Sequence, residues 1–68
     1  MSVYRVTELI GTSSQSWEDA AAVAVRQAQQ SLRDLRVAEV MAQDLTIEAD
    51  GSFIYRTKLQ VSFKYGAE

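Results

Sequence analysis

Hydrophobic residues recur along the chain with changing periods, and these changes divide it into elements. Residues 3–10 are rich in β-forming side chains and predict a first strand that ends at Gly11. Apolar residues occupy both alternating faces of this strand, so neither face is typical of a fully solvated surface. The polar segment 11–16 follows and offers several residues that favour a helix N-cap.

The next segment has helical periodicity. Spacings of three and four residues place one set of apolar side chains on a single helical face: Trp17, Ala21, Ala24, Ala28, Leu32 and Leu35. Ser16 with Asp19 three residues later resembles a capping box, and Glu18 and Asp19 suit the positive end of a helix dipole. These features predict a helix over residues 16–34. Its alanine-rich stripe requires close approach by whatever packs on it.

Two further strand patterns follow, joined by a turn. In residues 36–48 the apolar positions change parity between Val40 and Leu45, so either both faces are buried or a bulge re-aims the side chains. Residues 49–52 contain an Asp-Gly pair, which favours a hairpin. Residues 53–65 alternate regularly. One of their faces carries Phe53, Tyr55, Thr57, Leu59, Val61, Phe63 and Tyr65.

The predicted order is β-α-β-β, an α+β fold in which a three-stranded antiparallel sheet wraps one helix, as a single domain over residues 1–68. The two later strands would each run to roughly 40 Å at ~3.3 Å per residue. One helix cannot cover that much sheet, and a monomer would leave apolar surface of the first and second strands in water. The sequence therefore predicts an obligate oligomer.

The composition excludes several kinds of metal site and catalytic group. The 68 residues include no Cys, no His and no Pro, which excludes disulfides, the usual zinc, haem and iron–sulfur sites, and catalytic groups that need His. Proton transfer would fall to carboxylates, Lys or Tyr, and no nucleophile–base pair is visible, so an enzyme is not expected. Oligomerisation and a cation site built from oxygen ligands remain as means of stabilising so short a chain.

Charge and hydropathy limit the partners. Seven Lys and Arg residues against nine Asp and Glu residues give a net charge of −2. The nearest approach to a basic run is Arg56, Lys58 and Lys64, so nucleic acid is not an expected partner. No apolar stretch approaches the ~20 residues of a membrane span, and the N-terminal segment alternates where a signal peptide would have an apolar core. We expect a cytoplasmic protein that does not bind membranes.

Four segments of the chain resemble those of the dodecin family. They are VYRVTELIGTS at 3–13, SWEDAA at 16–21, LRDLRVAEV at 32–40 and KLQVSFKY at 58–65. The likeness covers essentially the whole chain. It implies a β-α-β-β protomer that assembles with copies of itself into a hollow dodecamer of cubic symmetry, in agreement with the predicted oligomer.

The resemblance also implies a flavin pocket, which this sequence changes. Dodecins that bind flavin carry an aromatic pair on the second strand, whose Trp stacks on the ring; Val37 and Ala38 stand there. A Gln that binds the flavin edge corresponds to Arg56, and an Arg of the second strand corresponds to Asp44. Val37 has no π face, whereas aromatic stacking on a nucleic-acid base is worth about 1–3 kcal/mol. The sole Trp, Trp17, lies on the helical stripe and is expected to pack in the core or between subunits.

These changes resemble a calcium-binding subgroup of dodecins from actinobacteria, which shares the RVAxV and VSFK segments. Ca²⁺ takes about 6–8 oxygen ligands, which no single segment supplies, and residues 48–52 lack the spacing of an EF-hand loop. Carboxylates repeated around symmetry axes would supply them. The acidic candidates are Glu18, Asp19, Asp34, Glu39, Asp44 and Asp50. We predict metal contacts for four of these, Glu39, Asp44, Asp34 and Glu18. Twelve chains at −2 each would carry about −24, which favours cations.

Three functions therefore stay open. The first is a non-enzymatic shell that binds or stores a small ligand, calcium or another non-flavin ligand. The second is storage of flavin, riboflavin or FMN, through altered geometry in which Tyr55 or Tyr65 takes part. The third is a structural or interaction particle without a small ligand. The sequence identifies no definite cofactor; calcium is the candidate, and FMN or riboflavin is the alternative.

Overall fold

The computed structural model describes residues 1–66, and these form three strands and one helix in the predicted order. The strands are β1 (Val3–Ser13), β2 (Leu35–Ile47) and β3 (Phe53–Tyr65), and the helix is α1 (Trp17–Gln29). β3 lies in the middle of an antiparallel sheet with the order β1-β3-β2. The predicted α+β fold is confirmed; residues 67 and 68 of the predicted domain lie outside the described residues.

β1 continues past Gly11, where the sequence predicts its end. Gly11 lies inside the strand, opposite Thr57 of β3. A Cβ atom on Gly11 would lie 2.9 Å from the Ala24 Cβ and would collide with the carbonyl oxygen of Ala20. The glycine therefore allows the helix to approach the sheet closely and makes no turn, so the predicted strand end is wrong.

α1 begins as predicted and ends earlier. The Asp19 N–H donates to the Ser16 hydroxyl at 3.0 Å, which confirms Ser16 as the N-cap. The helix ends at Gln29 instead of residue 34. Asp34 has a left-handed backbone with φ of 58°, which a helix interior does not accept. Leu35 continues the helical spacing by coincidence, because it is the first residue of β2.

The core lies between the small residues of α1 and the central strand. Its fully or almost fully buried residues are Ala20, Ala24 and Ala28 of α1 and Thr57, Leu59 and Val61 of β3. The face of β3 predicted as apolar is therefore the face that packs against the helix. Ala20, rather than the predicted Ala21, occupies the first buried position of the helical stripe.

β2 contains the predicted bulge. The register with β3 shifts between Val40, which pairs with Leu59, and Ala42, which pairs with Lys58, so that Met41 is the extra residue. The other explanation, burial of both faces, is wrong for the single chain, because every residue of β2 after Leu35 is exposed. The bulge decides which side chains of the second half of β2 share a face.

The sheet is much longer than the helix that covers it. At about 1.5 Å per residue α1 is roughly 20 Å long, whereas the molecule measures 51 × 20 × 14 Å. The helix covers the middle of the sheet and leaves both ends open. Within residues 1–66, no helix combines the length and the apolar character that crossing a membrane demands.

Candidate functional site

The face of the sheet turned away from α1, here called the outer face, carries four of the positions at which the sequence predicts a ligand. Alternation along β3 points Arg56 and Lys58 away from the helix, because their neighbours Thr57 and Leu59 face it. Cross-strand pairing then places Asp44 opposite Arg56 on the same face. Val37 and Glu39 share this face through their partners Ser62 and Gln60.

Asp44 and Arg56 form a two-pronged ion pair on the outer face. The Arg56 Nε donates to Oδ1 of Asp44 at 2.7 Å, and Nη2 donates to Oδ2 at 3.0 Å. The hydrogen bonds from Arg56 lower the pKa of the Asp44 carboxyl below its ordinary value of 3.8, and the same pair raises the pKa of Arg56. The two positions that the resemblance assigns to polar flavin contacts are thus bonded to each other.

A second ion pair crosses the other half of the outer face. Lys58 Nζ lies 3.6 Å from Oε1 of Glu8. Between the two pairs lies a shallow depression of about 60 Å³ that Ile10 and Ala42 also line. The charged residues on this face are Glu8, Glu39, Asp44, Arg56, Lys58 and Lys64, three of each sign. The paired strand residues of the outer face therefore carry balanced charge.

Val37 and Ala38 lie on opposite faces of β2. Val37 is opposite Ser62 and 61% exposed on the outer face. Ala38 is opposite Val61 and so lies on the helix side. The outer face therefore has an aliphatic side chain at the position that the resemblance assigns to a stacking ring.

Trp17 packs within its own subunit on the helix side of the sheet. Its indole N–H donates to the Asp44 carbonyl oxygen at 3.0 Å, and its ring meets Tyr55 edge-on with centroids 5.2 Å apart. The Thr57 hydroxyl donates to the Trp17 carbonyl oxygen at 2.9 Å. Trp17 therefore ties the start of α1 to both strands of the hairpin, and it does so from the face opposite to Arg56.

The two tyrosines of the flavin alternative also lie on the helix side. Tyr55 contacts Trp17, and the Tyr65 ring lies 5.4 Å from the Arg5 guanidinium carbon. Tyr65 pairs with Val3, which shares the helix side. Neither ring shares a face with Val37.

The four predicted metal residues are dispersed in the single chain. Glu18 lies in the first turn of α1, and Asp34 lies between α1 and β2. Glu39 and Asp44 share the outer face, but their partners on β3 are four residues apart, roughly 13 Å along the strand. Within the described residues, 1–66, no three carboxylates converge on a common point where a metal ion would bind.

Several of the acidic candidates already accept hydrogen bonds. Asp19 accepts from the Ser13 hydroxyl at 2.7 Å. Asp50 accepts from the N–H and the hydroxyl of Ser52 at 2.9 and 2.6 Å, and these bonds lower its pKa below 3.8. Asp50 therefore stabilises the hairpin turn, as the Asp-Gly pattern predicts, and Asp44 is held by Arg56.

A groove that the sequence did not indicate runs between α1 and the free edge of β1. It has a volume of about 370 Å³ and is lined mainly by apolar and small residues, among them Leu9, Gly11, Val23, Ala28 and Leu32. It exists because β1 continues past residue 10 beside the helix. No periodicity in the sequence signals this extension.

The architecture and surface define a class of protein, a small β-α-β-β protomer whose long hairpin exposes more apolar surface than its helix can cover. The dodecin family model matches residues 3–66, and the chain belongs to the dodecin family. The calcium dodecin of Mycobacterium tuberculosis is 55% identical over 64 residues, which are 94% of this chain and 90% of that protein. The family predicted from four sequence segments is thereby confirmed.

Solved structures agree with this assignment. The crystal structure of the M. tuberculosis calcium dodecin, described as calcium-chelating and as having a novel calcium-binding site, is 51% identical and superposes with a TM-score of 0.88 over 98% of this chain and 96% of its own. A variant of the Thermus thermophilus dodecin is 34% identical, with a TM-score of 0.90 over 100% of both chains. The dodecin of Streptomyces coelicolor is 33% identical, with a TM-score of 0.89 over 98% and 96%.

Proposed function

We propose that this chain forms a non-enzymatic, dodecameric dodecin shell that binds or stores calcium, or another ligand that is not a flavin. The observation that carries the proposal is the Asp44–Arg56 ion pair. In it, the side chains at the two polar positions of a flavin pocket bond to each other. Similarity to a calcium dodecin at 55% identity supports the choice of cation. The family assignment supports ligand binding rather than catalysis.

The outer face offers little to a flavin ring. Val37 supplies no aromatic surface, and the stacking that an aromatic side chain gives to a planar base is worth about 1–3 kcal/mol. Two N–H groups of Arg56 are already donated to Asp44, so a flavin edge would compete with a charged acceptor for them. A flavin would therefore bind here without an aromatic stacking partner, and it would have to compete with Asp44 for the N–H groups of Arg56.

A cation site requires several copies of the chain. Ca²⁺ takes about 6–8 oxygen ligands, and Glu18, Asp34, Glu39 and Asp44 are dispersed within one chain. Repetition of one of these carboxylates around a symmetry axis would bring several oxygens together. Glu39 suits this role better than Asp44, since Asp44 is already paired with Arg56 and Glu39 has no ion pair among the described residues.

Calorimetry with Ca²⁺ tests the proposal. The protein is stripped with EDTA, and its binding heat is compared for Ca²⁺ and Mg²⁺ in the unmodified chain and in four amide variants, Glu18→Gln, Asp34→Asn, Glu39→Gln and Asp44→Asn. Glu48→Gln in the hairpin turn is the matched control. We expect heat with Ca²⁺ in the unmodified protein and the control, and its loss in at least one of the four variants. No heat in the unmodified protein would end the calcium proposal, and heat in all four variants would end the residue assignment.

Fluorescence distinguishes the flavin alternative. We expect micromolar protein to leave the emission of riboflavin and FMN undiminished. Quenching that saturates would favour flavin storage instead. If neither calcium nor flavin binds to an assembled particle, the third possibility, a structural particle, is left. A cytoplasmic location and the absence of nucleic-acid and membrane partners stay predictions of the sequence.

A further inference from the structure

The hairpin turn contains the one aspartate of the chain that is followed by glycine. The chain has four aspartates and no asparagine, and the other three aspartates precede alanine or leucine. The backbone nitrogen of the residue after an aspartate can attack the aspartate side chain, and a bulky side chain on that residue hinders the attack. Asp50-Gly51 is therefore the pair at which this chain is chemically most open to rearrangement.

The fold places this pair in an exposed turn and requires its glycine. The Glu48 N–H donates to the Ser52 carbonyl oxygen at 2.8 Å, which closes a loop over residues 49–51, and all of these residues are exposed. Gly51 has φ of 87°, a left-handed conformation that ends such loops and favours glycine. A Cβ on Gly51 would meet no atom within 4 Å, so the backbone conformation and not the available space calls for glycine.

Ser52 holds the carboxylate of Asp50 with two hydrogen bonds. Its N–H donates to Oδ1 of Asp50 at 2.9 Å, and its hydroxyl donates to the same oxygen at 2.6 Å. These bonds favour the ionised carboxyl and lower the pKa of Asp50 below its ordinary value of 3.8. The protonated acid can release water when a nitrogen attacks it, whereas the carboxylate has no such leaving group. Ser52 therefore favours the unreactive form of Asp50.

The nitrogen that would attack is hydrogen-bonded as well. The Gly51 N–H donates to the Glu48 carbonyl oxygen at 2.9 Å, and this bond must break before the nitrogen can attack. The Asp50 side chain must also leave Ser52. Exposed hydrogen bonds in loops open more readily than those of a core, so the turn slows the reaction without preventing it.

We propose that Asp50-Gly51 is a site of isoaspartate formation and that the Ser52 hydroxyl slows the reaction. First, the Gly51 nitrogen bonds to the side-chain carboxyl carbon of Asp50, a C–O bond of the acid breaks, and the amide proton leaves with that oxygen as water. Water then adds to the backbone carbonyl carbon of Asp50, and the bond from this carbon to the Gly51 nitrogen breaks. The main chain now runs through the former side chain, and the former backbone carbonyl is a free carboxylate.

The rearrangement lengthens the main chain of the turn by one methylene carbon. The two backbone bonds that close the turn, Glu48 N–H to Ser52 and Gly51 N–H to Glu48, no longer fit together. The last pair of the sheet, Ile47 with Phe53, lies directly beside them. We therefore expect the amide of Glu48 to exchange its hydrogen faster in the rearranged protein than in the fresh protein.

Ageing of the intact protein tests the site. The unmodified protein, Ser52→Ala, Ser52→Thr and the control Ser14→Ala are kept at neutral pH and body temperature and then digested with trypsin. The peptide 37–56 contains both Asp44 and Asp50, so electron-transfer mass spectrometry compares the two sites in one molecule. We expect isoaspartate at Asp50, formed roughly two- to tenfold faster in Ser52→Ala, the range that the loss of one hydrogen bond gives. Ser52→Thr keeps the hydroxyl and should match the unmodified protein, as should Ser14→Ala.

Three results would contradict the proposal. Absence of isoaspartate at Asp50 from the folded proteins would overturn the site, and ageing of the chain in denaturant shows whether the turn is what prevents it. Equal rates in Ser52→Ala and the unmodified protein would overturn the role of the hydroxyl. Isoaspartate at Asp44 as fast as at Asp50 would show that the following glycine does not select the site.

Discussion

Arg56 donates two N–H groups to the Asp44 carboxylate, and this pair makes part of the folding stability depend on pH. The hydrogen bonds from Arg56 lower the folded-state pKa of Asp44 below 3.8. A carboxyl with a lowered pKa stabilises the folded state above its unfolded pKa, and this stabilisation is lost as the pH falls through the folded pKa. The pair therefore contributes at neutral pH and ceases to contribute in acid below 3.8.

Removal of the guanidinium should release the Asp44 carboxyl. In Arg56→Gln we expect the pKa of Asp44 to rise towards 3.8, because the hydrogen bonds and the positive charge that lower it are gone. Carboxyl chemical shifts followed by NMR through an acid titration measure this. The pKa of Asp50, which Ser52 lowers, is the internal control and should not move. An unchanged Asp44 pKa would show that the pair does not persist in solution.

The close approach of α1 to Gly11 leads to a prediction about packing. A methyl group at this position meets the Ala20 carbonyl and lies 2.9 Å from the Ala24 Cβ. Gly11→Ala should therefore lower the free energy of unfolding by about 1–3 kcal/mol, the usual range for overpacking a core. Chemical denaturation measures the loss, and Thr12→Ala on the exposed outer face is the control. Equal stability of the two variants would show that the helix can move away from β1 without cost.

The sequence identified Asp44 and Arg56 as altered positions but did not show that they bond to each other. Their pairing depends on the register of β2 against β3, and the bulge at Met41 sets that register. The change of parity along β2 indicated either a bulge or two buried faces, and it did not locate the extra residue between Val40 and Leu45. One residue of register moves every following side chain to the other face.

At the scale of elements, the start of α1 was predictable and its end was not. Ser16 and the acidic first turn determine the start through local hydrogen bonding, which short sequence patterns record. The helix ends at Gln29, and the N–H groups of Gln30 and Ser31 then bond to carbonyl oxygens three residues back, an end that the continuing apolar spacing through Leu35 hides. β1 was predicted too short for the related reason that Gly11 serves contact with α1, a tertiary requirement, and not a local turn.

Removing the hydroxyl group of Ser16 tests the N-cap of α1. Ser16→Ala removes the acceptor of the Asp19 N–H and should lower the free energy of unfolding by about 1 kcal/mol. Ser14→Ala, in the same polar segment and exposed, is the control and should change stability little. Thermal or chemical unfolding of the two variants gives the comparison. A loss as large in the control would mean that the cap hydrogen bond is not the cause.

At the scale of the whole molecule, the open sheet and the dispersed carboxylates of residues 1–66 both concern surfaces that a single chain leaves exposed. Ile47 and Phe53 of the sheet and the carboxylates Glu39 and Asp34 are all exposed in one chain. The sequence predicts the oligomer because strand and helix lengths are local properties. It does not locate a calcium site, since ligands repeated around an axis depend on how copies are placed relative to one another, which no pattern within one copy encodes.

If the assembly is the folding unit, its melting temperature depends on protein concentration. Association stabilises only the folded state, so the Tm of the unmodified protein should rise as the concentration is raised. Ile47→Asp should lower the Tm at a fixed concentration, by about 4–8 °C for each kcal/mol lost at the interface. Thr46→Asp introduces the same side chain one residue away on the outer face and should change the Tm far less. A Tm that is independent of concentration would show that the isolated chain folds stably despite its uncovered sheet.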